Sequence, residues 1–330
     1  MILRTKDALY DQSWQWHLKN SLTNIEELAE ALNIKLPDVP TNFPLLVPLP
    51  YLNRIKKGDP NDPLLLQILP IGKENMPTQG FLKDPLEEVS QTKSHGIIHK
   101  YHGRVLIVAT GSCAINCRYC FRRHFPYNEY KLSKKDWREI EEYVTKDPSI
   151  KEIILSGGDP LIMTDKRLNE FIGRIKELKQ VTHLRVHTRL PIVIPQRVTE
   201  DLISWAGETK LRTIFVIHAN HANELDDAVG SAILRLRSAN VSVLNQSVLL
   251  KGINANLKSL VDLSWRLSNL GVIPYYLHLL DKVSGSAHFD VPEELGIQLV
   301  DQMTAQLPGY LVPKLVREVP DAPAKVQIRG

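Results

Sequence analysis

From about position 104 to 306, short apolar, β-branched runs alternate with longer stretches in which apolar residues return every three to four positions. The short runs predict strands over 104–109, 152–155, 183–187, 212–217, 242–249 and 273–279. The longer stretches predict helices over 134–145, 166–178, 200–207, 224–238, 257–270 and 293–306. Near-continuous apolar strands separated by crossover helices imply a parallel sheet, and right-handed crossovers curl such a sheet toward a barrel. Six strand-helix units fall short of the eight that close one, so the expected fold is α/β, a partial (βα)6 barrel of TIM type. Its site is expected at the C-terminal ends of the strands.

The flanks differ. Over 1–100 one helical run stands out, with Ile25, Leu28, Ala31 and Leu32 on one face and Thr23 as the predicted cap. Pro37, Pro40, Pro44, Pro48, Pro50, Pro60 and Pro63 then break the chain too often for long elements, which predicts a mainly helical and irregular wrap around the 101–309 core. The tail, 310–330, carries Pro313, Pro320 and Pro323 and cannot be one helix.

Composition narrows the class. At 330 residues and 43% apolar content the chain can bury a large core. Its 41 basic and 37 acidic residues are interspersed, without the basic stripe of a nucleic-acid footprint. No apolar run reaches the length of a membrane span, and the opening Met-Ile-Leu-Arg-Thr-Lys lacks a secretory core, so a soluble cytoplasmic protein is expected.

All three cysteines, Cys113, Cys117 and Cys120, fall in one eight-residue window directly after the first predicted strand. That excludes a disulfide framework and points to a metal or cluster site. Thiolates at spacings of four and three can be wrapped by one loop around a cubane, each on one iron, leaving the fourth iron open to a ligand. A catalytic centre keeps such an open position. The competing reading is a structural zinc site completed by His124 or His102, or three buried thiols; zinc sites usually pair Cys-x2-Cys twice. A second motif, Ser156-Gly157-Gly158-Asp159-Pro160, follows the second predicted strand, where adjacent glycines expose backbone to a close ligand or form an ordinary turn.

Taken together, Tyr101-His102-Gly103-Arg104, Cys113 to Arg123, Ser156 to Asp159, Arg189-Leu190-Pro191-Ile192-Val193, His218 to Glu224, Asn245 to Leu250, Pro274-Tyr275-Tyr276 and Asp281 resemble the lysine 2,3-aminomutase family of radical S-adenosylmethionine (SAM) enzymes. The likeness runs from about Pro85 to Lys325 and is greatest to the shorter branch that acts in elongation factor P modification. It implies a 4Fe-4S cluster on Cys113, Cys117 and Cys120, SAM held partly by Ser156, Gly157, Gly158 and Asp159, and pyridoxal 5′-phosphate carried by Lys325. It also implies that Arg104 meets the cofactor phosphate, that Gln246 and His218 line the cofactor site with Asn220 near them, and that Arg122 clamps the substrate carboxylate. Asp281 and Glu318 would receive the lysine ammonium, a charge-matched pair that selects lysine over neutral amino acids. Without the resemblance, Lys325 reads as a solvated tail lysine, Arg104 as a surface arginine, and Asp281 or Glu318 as solvated carboxylates.

The resemblance further implies an isomerase that converts L-α-lysine to β-lysine, the R isomer where the product serves elongation factor P and its lysyl ligase, with an electron donor such as flavodoxin. Three departures from the longer, lysine-catabolising branch stand out. Asp321-Ala322-Pro323-Ala324 replaces a glycine-rich run before the cofactor lysine, Glu318 replaces an aspartate, and five residues follow Lys325 in place of a long extension. An aminomutase for arginine, or a non-catalytic iron-sulfur or zinc protein, are the alternatives.

Overall fold

A computed structural model describes residues 12–36, 39–92, 96–127 and 134–330. Nine strands form one sheet whose spatial order copies chain order: β1 (Ile97–Tyr101), β2 (Arg104–Thr110), β3 (Glu152–Gly157), β4 (His183–Thr188), β5 (Arg212–His218), β6 (Ser242–Val248), β7 (Ile273–His278), β8 (Lys314–Arg317) and β9 (Val326–Gln327). Every neighbouring pair from β2 to β8 is parallel, while β1 and β9 add antiparallel edges. Among the described residues no ladder joins β1 to β9, so the α/β sheet is a barrel left open on one side.

Helices α1 (Trp14–Lys19) and α2 (Ile25–Leu32) precede the sheet, and α3 (Lys134–Lys146), α4 (Asp165–Ile175), α5 (Glu200–Gly207), α6 (Asp227–Ser238), α7 (Leu257–Asn269) and α8 (Glu293–Gln306) follow β2 to β7 in turn. All six predicted strands and the six helices that follow them are present. Three differences have local causes. α2 is capped by Asn24, not Thr23, because the Asn24 side chain accepts from the backbone N–H groups of Glu26 and Glu27. α6 starts three residues later than expected because Asp226 caps it and the Glu224 carboxylate is taken by the Asn220 and His221 N–H groups. The proline-broken tail supplies a seventh parallel strand, β8, too short to show as a pattern.

The alternation along the strands divides the barrel. Val105 and Ile107, Ile153 and Leu155, Leu184 and Val186, Phe215 and Ile217 point outward and are buried with Leu168, Phe171 and Ile172 of α4 and Leu202 of α5. The intervening residues, among them Arg104, Ile154, Ser156, Arg185, His187, Gln246, Tyr276 and His278, face an interior cavity.

The N-terminal segment is fastened to the cysteine loop. Glu74 pairs with both Arg118 and Arg123, the latter at 2.7 Å, while Arg118 N–H donates to the Gln67 carbonyl at 2.9 Å. The open side of the barrel is bridged by side chains: Tyr101 Oη donates to Glu318 Oε1 at 3.2 Å, Lys100 Nζ lies 3.6 Å from the same oxygen, and Gln91 Nε2 donates to Asp321 Oδ1 at 3.2 Å.

Candidate active site

The interior cavity, of about 290 Å³, is lined by all fourteen residues singled out above as cofactor or substrate ligands. They arrive from loops after β2 and β3, from the ends of β5, β6 and β7, from the start of β2, and from the β8–β9 turn.

The cysteine loop follows β2 and lies against the loop after β3. Asp159 N–H donates to the Ser112 carbonyl at 2.8 Å and Gly158 N–H to the Thr110 carbonyl at 2.7 Å. A Cβ on Gly158 would stand 2.3 Å from the Ser112 oxygen, and one on Gly157, at φ +116°, would stand 2.5 Å from the Thr110 oxygen. The Gly-Gly pair is therefore required by loop-on-loop contact. Asp159 closes the same junction, accepting from Thr188 Oγ1 and from the N–H groups of Leu161, Arg189 and Leu190. Its burial pushes its carboxyl up to about 6 despite those bonds.

The three thiols are free, and burial, then their mutual repulsion, raises Cys120 to about 11 and Cys113 well above the usual thiol range. Among the described residues, no three His, Cys, Asp or Glu side chains converge on the position of a single metal ion, and His124 is occupied by the Ser284 carbonyl. Three thiolates on three different irons stand further apart than the ligands of one ion. Three thiols supplied by one loop are a donor set that fits a cluster with one iron left open.

Arg122, buried beside this loop, gives Nε and Nη2 to Glu88 at 2.6 and 2.8 Å and Nη1 to Ser156 Oγ at 3.0 Å. On the far wall, Glu318 follows β8 and Lys325 precedes β9. The pairs Val316 with Gln327 and Arg317 with Val326 fix the register, and its continuation places Glu318 opposite Lys325, where the two form an ion pair. Burial alone would raise the Glu318 carboxyl, but Lys325, with Lys100 behind it, brings it down to about 2. Asp281, after β7, is pushed up to about 7 by burial and then by the Glu318 charge. Arg104 stacks on the Tyr101 ring at 4.8 Å. Gln246 and His218 are register partners whose side chains meet at 3.0 Å; burial, then Arg189, takes His218 down to about 3, so it is a neutral acceptor for the Gln246 amide.

Sequence patterns did not pick out Glu88, Lys100, His187 or His278 as site residues. His187 and His278 were discoverable: polar residues at inward positions of otherwise apolar parallel strands mark a cavity wall. Glu88 precedes the sheet, on a single helical turn, Glu88–Gln91, and no spacing rule connects it to Arg122. Asn220 is used within the wall, bonding Gln67, Tyr119 and the Val248 N–H.

Residues 107–215 match the model of the Radical SAM superfamily. The chain is 43% identical to the L-lysine 2,3-aminomutase of Haemophilus influenzae, over 96% of this chain and 95% of that protein, and 42% identical to that of Escherichia coli, over 96% and 94%. The Clostridium subterminale L-lysine 2,3-aminomutase is 30% identical over 96% of this chain but 77% of its own length. The chain belongs to the lysine 2,3-aminomutase family of radical SAM enzymes. Membership implies a 4Fe-4S cluster and SAM, and the aminomutase wall fits them: thiols from one loop, a glycine-built loop against it, and an enclosed cavity reaching from Cys113 to Lys325. Buried His187 Nε2 and His278 Nε2 have no partner among the described residues, polar atoms that a bound ligand would satisfy.

Proposed function

We propose that this aminomutase converts L-α-lysine to β-lysine, using pyridoxal phosphate on Lys325 beside the cluster and SAM. The observation that carries the reading is the convergence in one cavity of the cysteine loop, a guanidinium, a half-buried lysine amine and two carboxylates. When bound, the cluster with SAM would supply radical chemistry able to activate an unreactive C–H bond, and a pyridoxal cofactor held by Lys325 would supply an electron-delocalising ring for the nitrogen shift from Cα to Cβ.

The chain's own residues hold and orient. The Lys325 amine receives the cofactor aldehyde, a role that suits a half-buried lysine. Arg104, at the start of β2, meets the cofactor phosphate, and Gln246 with neutral His218 offers hydrogen bonds from the wall. Ser156, Gly157, Gly158 and Asp159 shape the SAM pocket next to the cysteine loop. Arg122 binds the substrate carboxylate, its orientation fixed by Glu88. Where Lys325 holds the cofactor, Glu318 and Asp281 would be placed to receive the side-chain ammonium of lysine. The N-terminal segment, tied to the cysteine loop through Glu74, keeps water and oxygen out.

Relatives of the same length named L-lysine 2,3-aminomutase support the substrate. The match to the shorter branch supports a product of R configuration that an elongation factor P lysyl ligase uses, and a flavodoxin-type electron donor in the cytoplasm. Protein loaded with iron, sulfide and pyridoxal phosphate without oxygen should form β-lysine from lysine, SAM and a reductant, and chiral chromatography should show the R isomer. Loaded protein that forms none, or that instead acts on arginine in a substrate panel, would refute the assignment.

A further inference from the structure

Arg189 is the first residue of the Arg-Leu-Pro-Ile-Val block after β4, and the function above gives it no task. Its guanidinium is buried, its Nη1 donates to Cys117 Sγ at 2.6 Å, and its Nη2 donates to Gln67 Oε1 and Glu224 Oε2, both at 2.7 Å. Glu224 is fully buried and is itself fixed by the Asn220 and His221 N–H groups and by Gln67 Nε2 at 3.2 Å. The Tyr51 and Tyr119 rings lie 5.6 and 5.7 Å from the guanidinium carbon. A cation is thus held against the Cys117 sulfur by an anion on the same guanidinium, within an aromatic and amide shell.

We propose that Arg189 is a positioning residue that sets the reduction potential of the cluster, with Glu224 as the counterweight that limits its effect. The inference rests on a cluster at Cys113, Cys117 and Cys120. Taking one electron from an external donor adds a negative charge to the cluster. A charge-assisted hydrogen bond to a ligating sulfur stabilises that reduced state more than the oxidised one, because the sulfur carries more of the added charge. Glu224 opposes this, since a carboxylate on the same guanidinium cancels part of its field. The two side chains therefore act in opposite directions on one observable.

The test is an anaerobic redox titration of cluster-loaded protein, followed by the EPR signal of the reduced cluster, with iron content and thermal midpoint measured beside it. Arg189→Met should make reduction about tenfold less favourable at fixed potential, about 59 mV for a one-electron couple. Arg189→Lys, which keeps the charge, should recover most of the loss, and Glu224→Gln should shift the potential upward. Where Arg189→Met leaves too little folded protein, because Glu224 then stands unpaired, the double variant Arg189→Met with Glu224→Gln removes both charges and should still lie below wild type. Equal potentials in variants that retain iron, or shifts of the same sign for Arg189→Met and Glu224→Gln, overturn the inference. A wild-type protein with no reducible cluster sinks the cluster assignment instead, so the two failures are distinguishable.

Discussion

Asp281 and Glu318 face the same space with opposite titration behaviour. Glu318, held down to about 2 by Lys325, stays ionised through the physiological range, whereas Asp281, pushed up to about 7, is half neutral there. A proton on Asp281 removes half of the charge that would receive a substrate ammonium. Lysine binding should therefore weaken as pH falls through about 7, by at most about tenfold per unit, since one pK unit is about 1.4 kcal/mol. Asp281→Asn should weaken binding about ten- to a hundredfold at pH 8 and flatten that slope, the range of charged hydrogen bonds; isothermal titration of the cofactor-loaded protein across pH 6 to 8 measures both. In the unliganded protein the sign for stability is opposite to that of an ordinary ion-paired acid. The folded state binds the Asp281 proton more tightly than the unfolded chain, whose value is near 3.8, so this contribution is full below that value and is lost as pH rises through about 7.

Arg122 offers a second prediction at this scale. Its Nε and Nη2 are already committed to Glu88, so Arg122→Ala would leave that buried carboxylate only Lys100 Nζ, 3.9 Å away, at a cost below the about 3–5 kcal/mol of a wholly unpaired buried charge. Arg122→Lys keeps the charge but not the two-point contact and should raise the lysine KM with a smaller fall in thermal midpoint. Equal thermal losses in both variants would show that Glu88 does not depend on the charge of Arg122.

Among the elements, the strands and helices of the barrel were legible because each strand carries an apolar outward face and each helix an apolar stripe. The ends of those elements were less so. β3 runs on to Gly157 because that residue still pairs with Thr110 of β2 across a register shift, and β8 and β9 are too short for any periodicity. That brevity is why Lys325 reads as a tail residue in the sequence: only the β8–β9 register, which no pattern reveals, sets it opposite Glu318. The loop after β3 gives the third prediction. Gly158→Ala forces a Cβ onto the Ser112 backbone oxygen and must displace the cysteine loop, so iron bound per chain after anaerobic loading should fall by more than half, while far-ultraviolet circular dichroism stays unchanged. Full iron content in this variant would show that the loop-on-loop contact is dispensable.

For the whole molecule, the prolines over 1–100 predict an irregular wrap but no motif marks where it attaches: Gln67 follows the one-turn helix Pro63–Leu66 and Glu74 lies in the short 3-10 turn Gly72–Asn75. Glu74 pairs with two arginines of the cysteine loop, Arg118 and Arg123. Glu74→Gln should lower the thermal midpoint and quicken bleaching of the cluster by air, with a cost of about 3–5 kcal/mol for the broken buried pairs; a variant as stable and as air-resistant as wild type would remove the wrap from the protective role proposed for it.

The side chains that span the gap between β1 and the β8–β9 turn have a mechanical meaning. A seam closed by a backbone ladder parts only when a strand unfolds, but here it is stitched by Tyr101, Lys100 and Gln91 to Glu318 and Asp321, contacts that can be undone one at a time. Amide exchange in β9 should accordingly outpace that of β4 and β5 by orders of magnitude, and a bound substrate that occupies Glu318 would loosen one stitch while its own contacts supply another.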